Sequence, residues 1–167
     1  DDLVFESEEE RDRMAQGVAI LVGDNLLGLA LSLMNELGLT GRCDPHVAAR
    51  AVEELAGSVT PALIDGEMTD CFFERRPFSS ISVEEAIDMM GRKTGRLLEA
   101  CVHVGAAVAL GKWEPDAPEI AAIRAYARHC GLAFQIQDDI LGLTGDPRKL
   151  SKSVGADIRA GKRTPIA

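Results

Sequence analysis

The sequence predicts an all-α domain built as a bundle of four long helices. Apolar residues recur at helical spacing in four long stretches, no stretch alternates with the period of a strand, and the joins are short. Ala, Leu, Glu, Met and Arg are plentiful and favour helix, whereas aromatics make up only 4%. With 167 residues, 46% of them hydrophobic and 27% charged, the chain suffices for a core of its own and reads as soluble and globular. Residues 1–167 are therefore taken as a single domain.

The first helix is expected over residues 8–38. Val18, Leu21, Leu26, Leu27, Leu29, Leu31 and Met34 make it apolar nearly all round, which predicts deep burial. Gly, Asp, Glu or Arg interrupts every apolar run, so no run is expected to reach the length of a membrane span. Gly38 and Gly41 end the helix. Asp44 caps the second helix and Pro45 occupies its first turn; it runs to about Glu74, with a break expected at Thr60-Pro61. Ser82 and Glu85 form a capping-box pattern that starts the third helix, which runs to about Leu110. Asp116 and Pro118 start the fourth, which passes through Phe134 and ends near Gly142. Residues 143–165, rich in Gly, Lys, Arg and Asp, read as a loop.

The net charge is -9, from 27 acidic and 18 basic residues, which argues against general nucleic-acid binding. An anionic ligand stays possible, because local lysines and metal ions seated on carboxylates can hold a diphosphate. Cys43, Cys71, Cys101 and Cys130 are evenly spread with no CxxC pair and read as reduced, buried thiols of a cytoplasmic protein. His46, His103 and His129 form no metal-ligand pattern; His103 and His129 lie in apolar stretches and read as packing residues. No signal peptide is recognisable, and the chain opens on Asp1-Asp2 without an initiator Met, as expected of part of a longer protein.

The chemistry concentrates in AFQIQDDILGLTGDPRKLSKSVGADIRAGKRTP, residues 133–165. Gln135, Asp138 and Asp139 stand at i, i+3 and i+4 and share one helix face. Two adjacent carboxylates on a largely apolar helix end are costly unless neutralised, and a hard divalent cation with oxygen ligands neutralises them. Lys152, Asp157, Lys162 and Arg163 follow closely. Carboxylates followed by lysines suit a metal-bridged polyanion; the bland alternative is a solvated helix end followed by a charged surface loop.

This segment resembles the second aspartate-rich region of the trans-isoprenyl diphosphate synthase family. The family pattern of FQxxDDxxD, a GDP loop, a lysine, an Asp and GK appears here as FQIQDDILG, GDP at 145–147, Lys152, Asp157 and Gly161-Lys162, with Gly142 where the last motif Asp stands. GRKTGRLLEA at 91–100 resembles the family's KT-containing helix, and VAILVGDNLLGLAL at 18–31 its helix after the first aspartate-rich region. Asp24 in that helix reads as a packing residue. IDGEMTD at 64–70 is a weaker echo, with Glu67 where the family often has Gln. Asp1-Asp2 stands where the first motif begins, but Phe5 replaces its later Asp, the expected paired arginines are reduced to Arg11 beside Glu10, and the interval to Gly23-Asp24 is short.

The resemblance implies an isoprenoid-synthase-like helical bundle around a central cavity. This chain corresponds to roughly half of it, without the N-terminal helices that carry the isopentenyl diphosphate motif and without the C-terminal helices. It implies a magnesium-dependent transferase joining an allylic diphosphate to isopentenyl diphosphate, with about three Mg2+ per site. Asp1, Asp2, Asp138 and Asp139 are the implied metal-site residues, Asp139 and Asp157 more as supports than direct ligands. Lys93, Asp138 and Lys152 are implied to be catalytic, and Lys93, Thr94, Gln135, Lys152, Lys162 and Arg11 to bind substrate. A homodimer is implied. A terpene cyclase of the same fold and a non-catalytic regulatory subunit are the alternatives, the second supported by Phe5 and Glu10.

Overall fold

The computed structural model describes residues 4–145. Among them lie helices α1 (Glu8–Leu39), α2 (Pro45–Glu54), α3 (Thr60–Phe73), α4 (Val83–Met90), α5 (Arg96–Leu110) and α6 (Pro118–Thr144), and no strand. The four helical stretches of the sequence are all present. Two of them carry a widened turn that divides them: Leu55–Val59 between α2 and α3, and Gly91–Gly95 between α4 and α5, each a short π-helix.

α1 begins where Ser7 accepts a hydrogen bond from the backbone N–H of Glu10, with Glu8, Glu9 and Glu10 complementing the helix dipole. Past Leu39 the chain reverses through Gly41 at φ +71, a left-handed conformation that suits glycine. Gly38 allows the return, since a Cβ there would lie 2.8 Å from Cβ of Ala48 on α2. The expected deep burial of α1 does not hold. It packs chiefly on α2, and from Glu8 to Leu29 its surface is exposed, with Leu21 at 68%. Asp24, expected to pack, is exposed as well.

The reading of α1 as too interrupted to span a membrane is also corrected. By length and composition alone this helix could cross one. Asp24 is the sole charge between Met14 and Asn35, and one acidic residue does not offset so many Leu, Ile and Val. The core helix of a soluble protein has the same composition.

No break occurs at Thr60-Pro61. The backbone N–H and the hydroxyl of Thr60 both donate to the carbonyl of Leu55, the hydroxyl at 2.8 Å. The π-turn shifts the ladder just ahead of Pro61, and the helix passes a residue that would otherwise break it. The Ser82–Glu85 capping box forms as expected. α5 ends on Gly111 at φ +67. α6 starts with Pro118 in its first turn, but its cap is Ala117 rather than Asp116 and makes no side-chain bond.

The core joins Phe73 of α3 to Met89 and Met90 of α4, with Ile81, Leu132 and Ile136 packed around them. His103 is buried as expected, whereas His129 is exposed. The cysteines are free thiols, but Cys71, Cys101 and Cys130 are exposed and Cys43 half-buried, against the expectation of burial.

Two glycine contacts position the second π-turn. A Cβ on Gly66 of α3 would lie 2.5 Å from the backbone N of Lys93 and 2.8 Å from its Cα. A Cβ on Gly131 of α6 would lie 2.7 Å from Cα of Gly95. Residues 91–95 are thus clamped between α3 and α6 at distances that only glycine permits. The Gly66→Ala variant is expected to lose about 1–3 kcal/mol in urea unfolding, because backbone rather than a flexible side chain must move. Gly105→Ala, where an added Cβ meets open space, is expected to be neutral or stabilising by up to about 1 kcal/mol.

Candidate active site

The clamped π-turn presents Lys93 to α3 and Thr94 to α6. Nζ of Lys93 lies 2.7 Å from Oδ2 of Asp70 and 2.9 Å from Oε2 of Glu67. Asp70 is buried and Glu67 exposed. Burial alone would push the Lys93 ammonium down, but hydrogen bonds and charge from Asp70 and Glu67 outweigh it and hold Lys93 above the ordinary lysine value. Lys93 is therefore cationic at neutral pH.

On the other side, the Thr94 hydroxyl donates to Oε1 of Gln135 at 2.8 Å, and Nε2 of Gln135 donates to Oδ1 of Asp139 at 3.2 Å. The chain Thr94–Gln135–Asp139 fixes the orientation of the Gln135 amide and holds Asp139 in a buried position. Asp138, on the same helical turn, is exposed. The residues singled out at 93, 94, 135 and 139 of the sequence thus form one connected array.

Arg11 stands apart from this array. It lies on the exposed N-terminal part of α1, engaged by Glu8 at 3.1 Å and Asp12 at 3.4 Å. Asp1, Asp2, Lys152, Asp157, Lys162 and Arg163 lie outside the described residues.

Among the described residues, no three His, Cys, Asp or Glu side chains converge as a metal site. Asp138 and Asp139 nevertheless supply an all-oxygen donor pair. Magnesium takes one or two carboxylates and completes its shell with water and substrate phosphate, so this pair suits it.

Comparison with known proteins then decides the family. The polyprenyl synthetase family model matches residues 10–167. The chain belongs to the polyprenyl synthetase family. The chain is 36% identical, over 172 aligned residues, to a short chain isoprenyl diphosphate synthase of Methanocaldococcus jannaschii, covering 99% of this chain and 49% of that protein. It is 38% identical over 148 residues to a geranylgeranyl diphosphate synthase of Mycobacterium tuberculosis, covering 89% of this chain and 39% of that one. A solved polyprenyl synthetase from Streptomyces coelicolor A3(2) superposes with a TM-score of 0.69 at 38% identity, over 87% of this chain and 39% of that structure. A solved geranylgeranyl pyrophosphate synthase gives a TM-score of 0.72 at 32% identity, over 87% of this chain and 40% of that one. The chain spans about half the length of these relatives or less.

A charged cluster beside the site was not legible in the sequence. Glu99, only 4% exposed at its side chain, meets Arg96 at 3.2 Å, Arg124 at 2.9 Å and Arg128 at 2.9 Å. Arg96 also reaches Glu54 at 3.4 Å, and Glu54 lies 2.6 Å from Nδ1 of His103, whose ring packs on Trp113. Glu99, Arg96 and Arg128 fall on helix faces three or four residues from apolar neighbours, and nothing in their spacing marks them off from surface charge. Asp70 was within sight, since it sits one turn beyond Gly66 in the IDGEMTD stretch. A cavity of about 550 Å³ lies between α4–α5 and α6, lined by Ile87, Arg92, Arg96, Arg124, Arg128 and Leu132 among others.

Burial would raise the Glu99 pKa, but the hydrogen bond and charge of Arg128, with the charges of Arg96 and Arg124, outweigh it and hold the carboxyl below the usual carboxylate range. The stability this contributes is complete above about pH 4.3 and fades as pH falls through the lower folded value. A melting-temperature profile between about pH 6 and pH 3 should therefore fall more steeply for the wild type than for Glu99→Gln. At neutral pH that variant should be less stable by about 3 kcal/mol, its arginines having lost their shared buried counter-charge.

Proposed function

We propose that the protein is a trans-prenyltransferase that extends an allylic diphosphate with isopentenyl diphosphate. The observation that carries this reading is the array Lys93–Thr94–Gln135–Asp139, with Asp138 beside it, on a chain of the polyprenyl synthetase family. The named relatives that make isoprenyl and geranylgeranyl diphosphates support elongation as the reaction class.

The residues divide the work by charge. Lys93, pinned by the backbone contact at Gly66, offers a fixed ammonium to the diphosphate as the allylic C–O bond ionises. Gln135, its amide oriented by Thr94, aligns a diphosphate oxygen or a water. Asp138 and Asp139, with Asp1 and Asp2, are the carboxylates that would hold magnesium. Bound there, magnesium would neutralise the charge growing on the departing diphosphate. Lys152 and Lys162 are proposed to add positive charge on the same group. Apolar helix surfaces around the site would keep water from the allylic cation until the double bond of isopentenyl diphosphate attacks it. The proton then lost is taken up by the released diphosphate.

A homodimer belongs to the same proposal, supported by the exposed apolar surface of α1. A cytoplasmic setting is supported by the four free cysteines.

The test uses the full-length protein with an allylic diphosphate, with and without isopentenyl diphosphate. Elongation is expected only with both substrates and only with a divalent cation, so chelation with EDTA should abolish it. Products formed without isopentenyl diphosphate would point to a cyclase, and no turnover in the protein alone to a regulatory subunit. Asp138→Asn should lower kcat about a hundredfold or more with little change in melting temperature, since its side chain is exposed. Wild-type turnover in that variant would end its assignment to the metal site.

A further inference from the structure

We propose that Glu67 is a displaceable counter-ion on Lys93, a positioning residue that sets how tightly this site holds diphosphate. The proposal rests on the reading of Lys93 as a diphosphate ligand.

An ammonium has three N–H donors. On Lys93 two of them are committed to carboxylates, Asp70 at 2.7 Å and Glu67 at 2.9 Å. Both carboxylates project from α3, three residues apart, and Gly66 between the backbones brings Lys93 down between them. The two partners are not equivalent. The Asp70 side chain is 8% exposed and that of Glu67 60%. Releasing Asp70 would strand a buried charge, whereas Glu67 can turn into water at little cost.

Two carboxylates on one ammonium leave a local surplus of one negative charge. A diphosphate reaching for Lys93 meets that surplus, and the partner able to give way is Glu67. Asp70 then keeps the ammonium aimed while Glu67 exchanges with a diphosphate oxygen. The same competition acts on the departing product. Glu67 thereby weakens the hold on released diphosphate and shortens the time the site stays blocked.

Glutamine in place of Glu67 keeps an oxygen acceptor and removes the charge, which makes the idea testable. Titration calorimetry of the intact protein with inorganic diphosphate and magnesium should show about three- to fivefold tighter binding in Glu67→Gln than in the wild type. Glu67→Asp, which keeps the charge, should restore wild-type affinity. In turnover, Glu67→Gln should lower the KM for the allylic diphosphate without raising kcat. On a Lys93→Met background the same substitution should change nothing. Unchanged affinity in Glu67→Gln, or a gain that persists without Lys93, overturns the proposal. If Lys93→Met weakens binding but Glu67→Gln does not tighten it, only the role of Glu67 falls. If Lys93→Met leaves binding unchanged, the assignment of Lys93 to the diphosphate falls and the role of Glu67 falls with it.

Discussion

Everything at this site depends on how closely three helical stretches approach one another around residues 91–95. At Gly66 and at Gly131 the backbones touch at distances that leave no room for a Cβ. These contacts deliver Lys93 to the carboxylates of α3 and Thr94 to Gln135 of α6. The π-turn serves the same end. Successive side chains of a helix leave its axis about 100° apart, so adjacent Lys93 and Thr94 serve two different neighbouring helices, and the extra residue of the π-turn shifts the register of the residues that follow. A regular α-helix capped at the same ends would carry a different set of residues to those contacts.

Buried carboxylates form the second level of the design. Glu54, Asp70 and Glu99 are all nearly inaccessible, and each has a basic partner from another element: Glu54 has Arg96 and His103, Asp70 has Lys93, and Glu99 has Arg124 and Arg128. Ion pairs of this kind add little net stability over apolar packing, because desolvation offsets most of the attraction. What they do here is fix cations. Lys93 could not stand ready for an anionic substrate on a freely rotating four-carbon stem, and Asp70 removes that freedom. Arg96, shared by Glu54 and Glu99, ties the first π-turn region to α5 and so stiffens the frame around Gly91–Gly95.

Helix positions were legible in the sequence because caps and breakers act locally. The Ser82–Glu85 box, Pro45 and Pro118 in first turns, and Gly41 at a left-handed position each work through a neighbour a few residues away. The array of Lys93, Thr94, Gln135 and Asp139 was legible for another reason: these residues stand in strings that resemble a known family's motifs. The π-turns were not legible, because an extra residue in a helix leaves composition and periodicity nearly unchanged over so short a stretch. The Glu99 cluster was hidden by the ordinariness of Arg and Glu on helices. The burial of α1 was misread because an all-round apolar helix implies a cover but does not say which chain supplies it. The chain spans about half its relatives' length or less, and among the described residues α1 has α2 as its main neighbour.

A net charge of -9 looks at first like a poor start for binding diphosphates. The objection dissolves once the charges are followed to their partners. Many of the acidic side chains around the site are already spent on arginines and lysines, as at Glu99, Asp70 and the Asp65–Arg92–Asp88 triplet. Asp138 and Asp139 sit side by side near the end of α6, beside an oriented amide, where a divalent cation would draw phosphate oxygens toward them. Net charge governs long-range encounter, and salt screens it within about 8–10 Å. In the proposed function, affinity would be decided inside that radius, by a pinned ammonium, an oriented amide and a carboxylate pair suited to metal. On the proposed reading, an acidic protein with such a centre would repel anions weakly at a distance and select, at close range, those that can bridge a metal and a lysine at once.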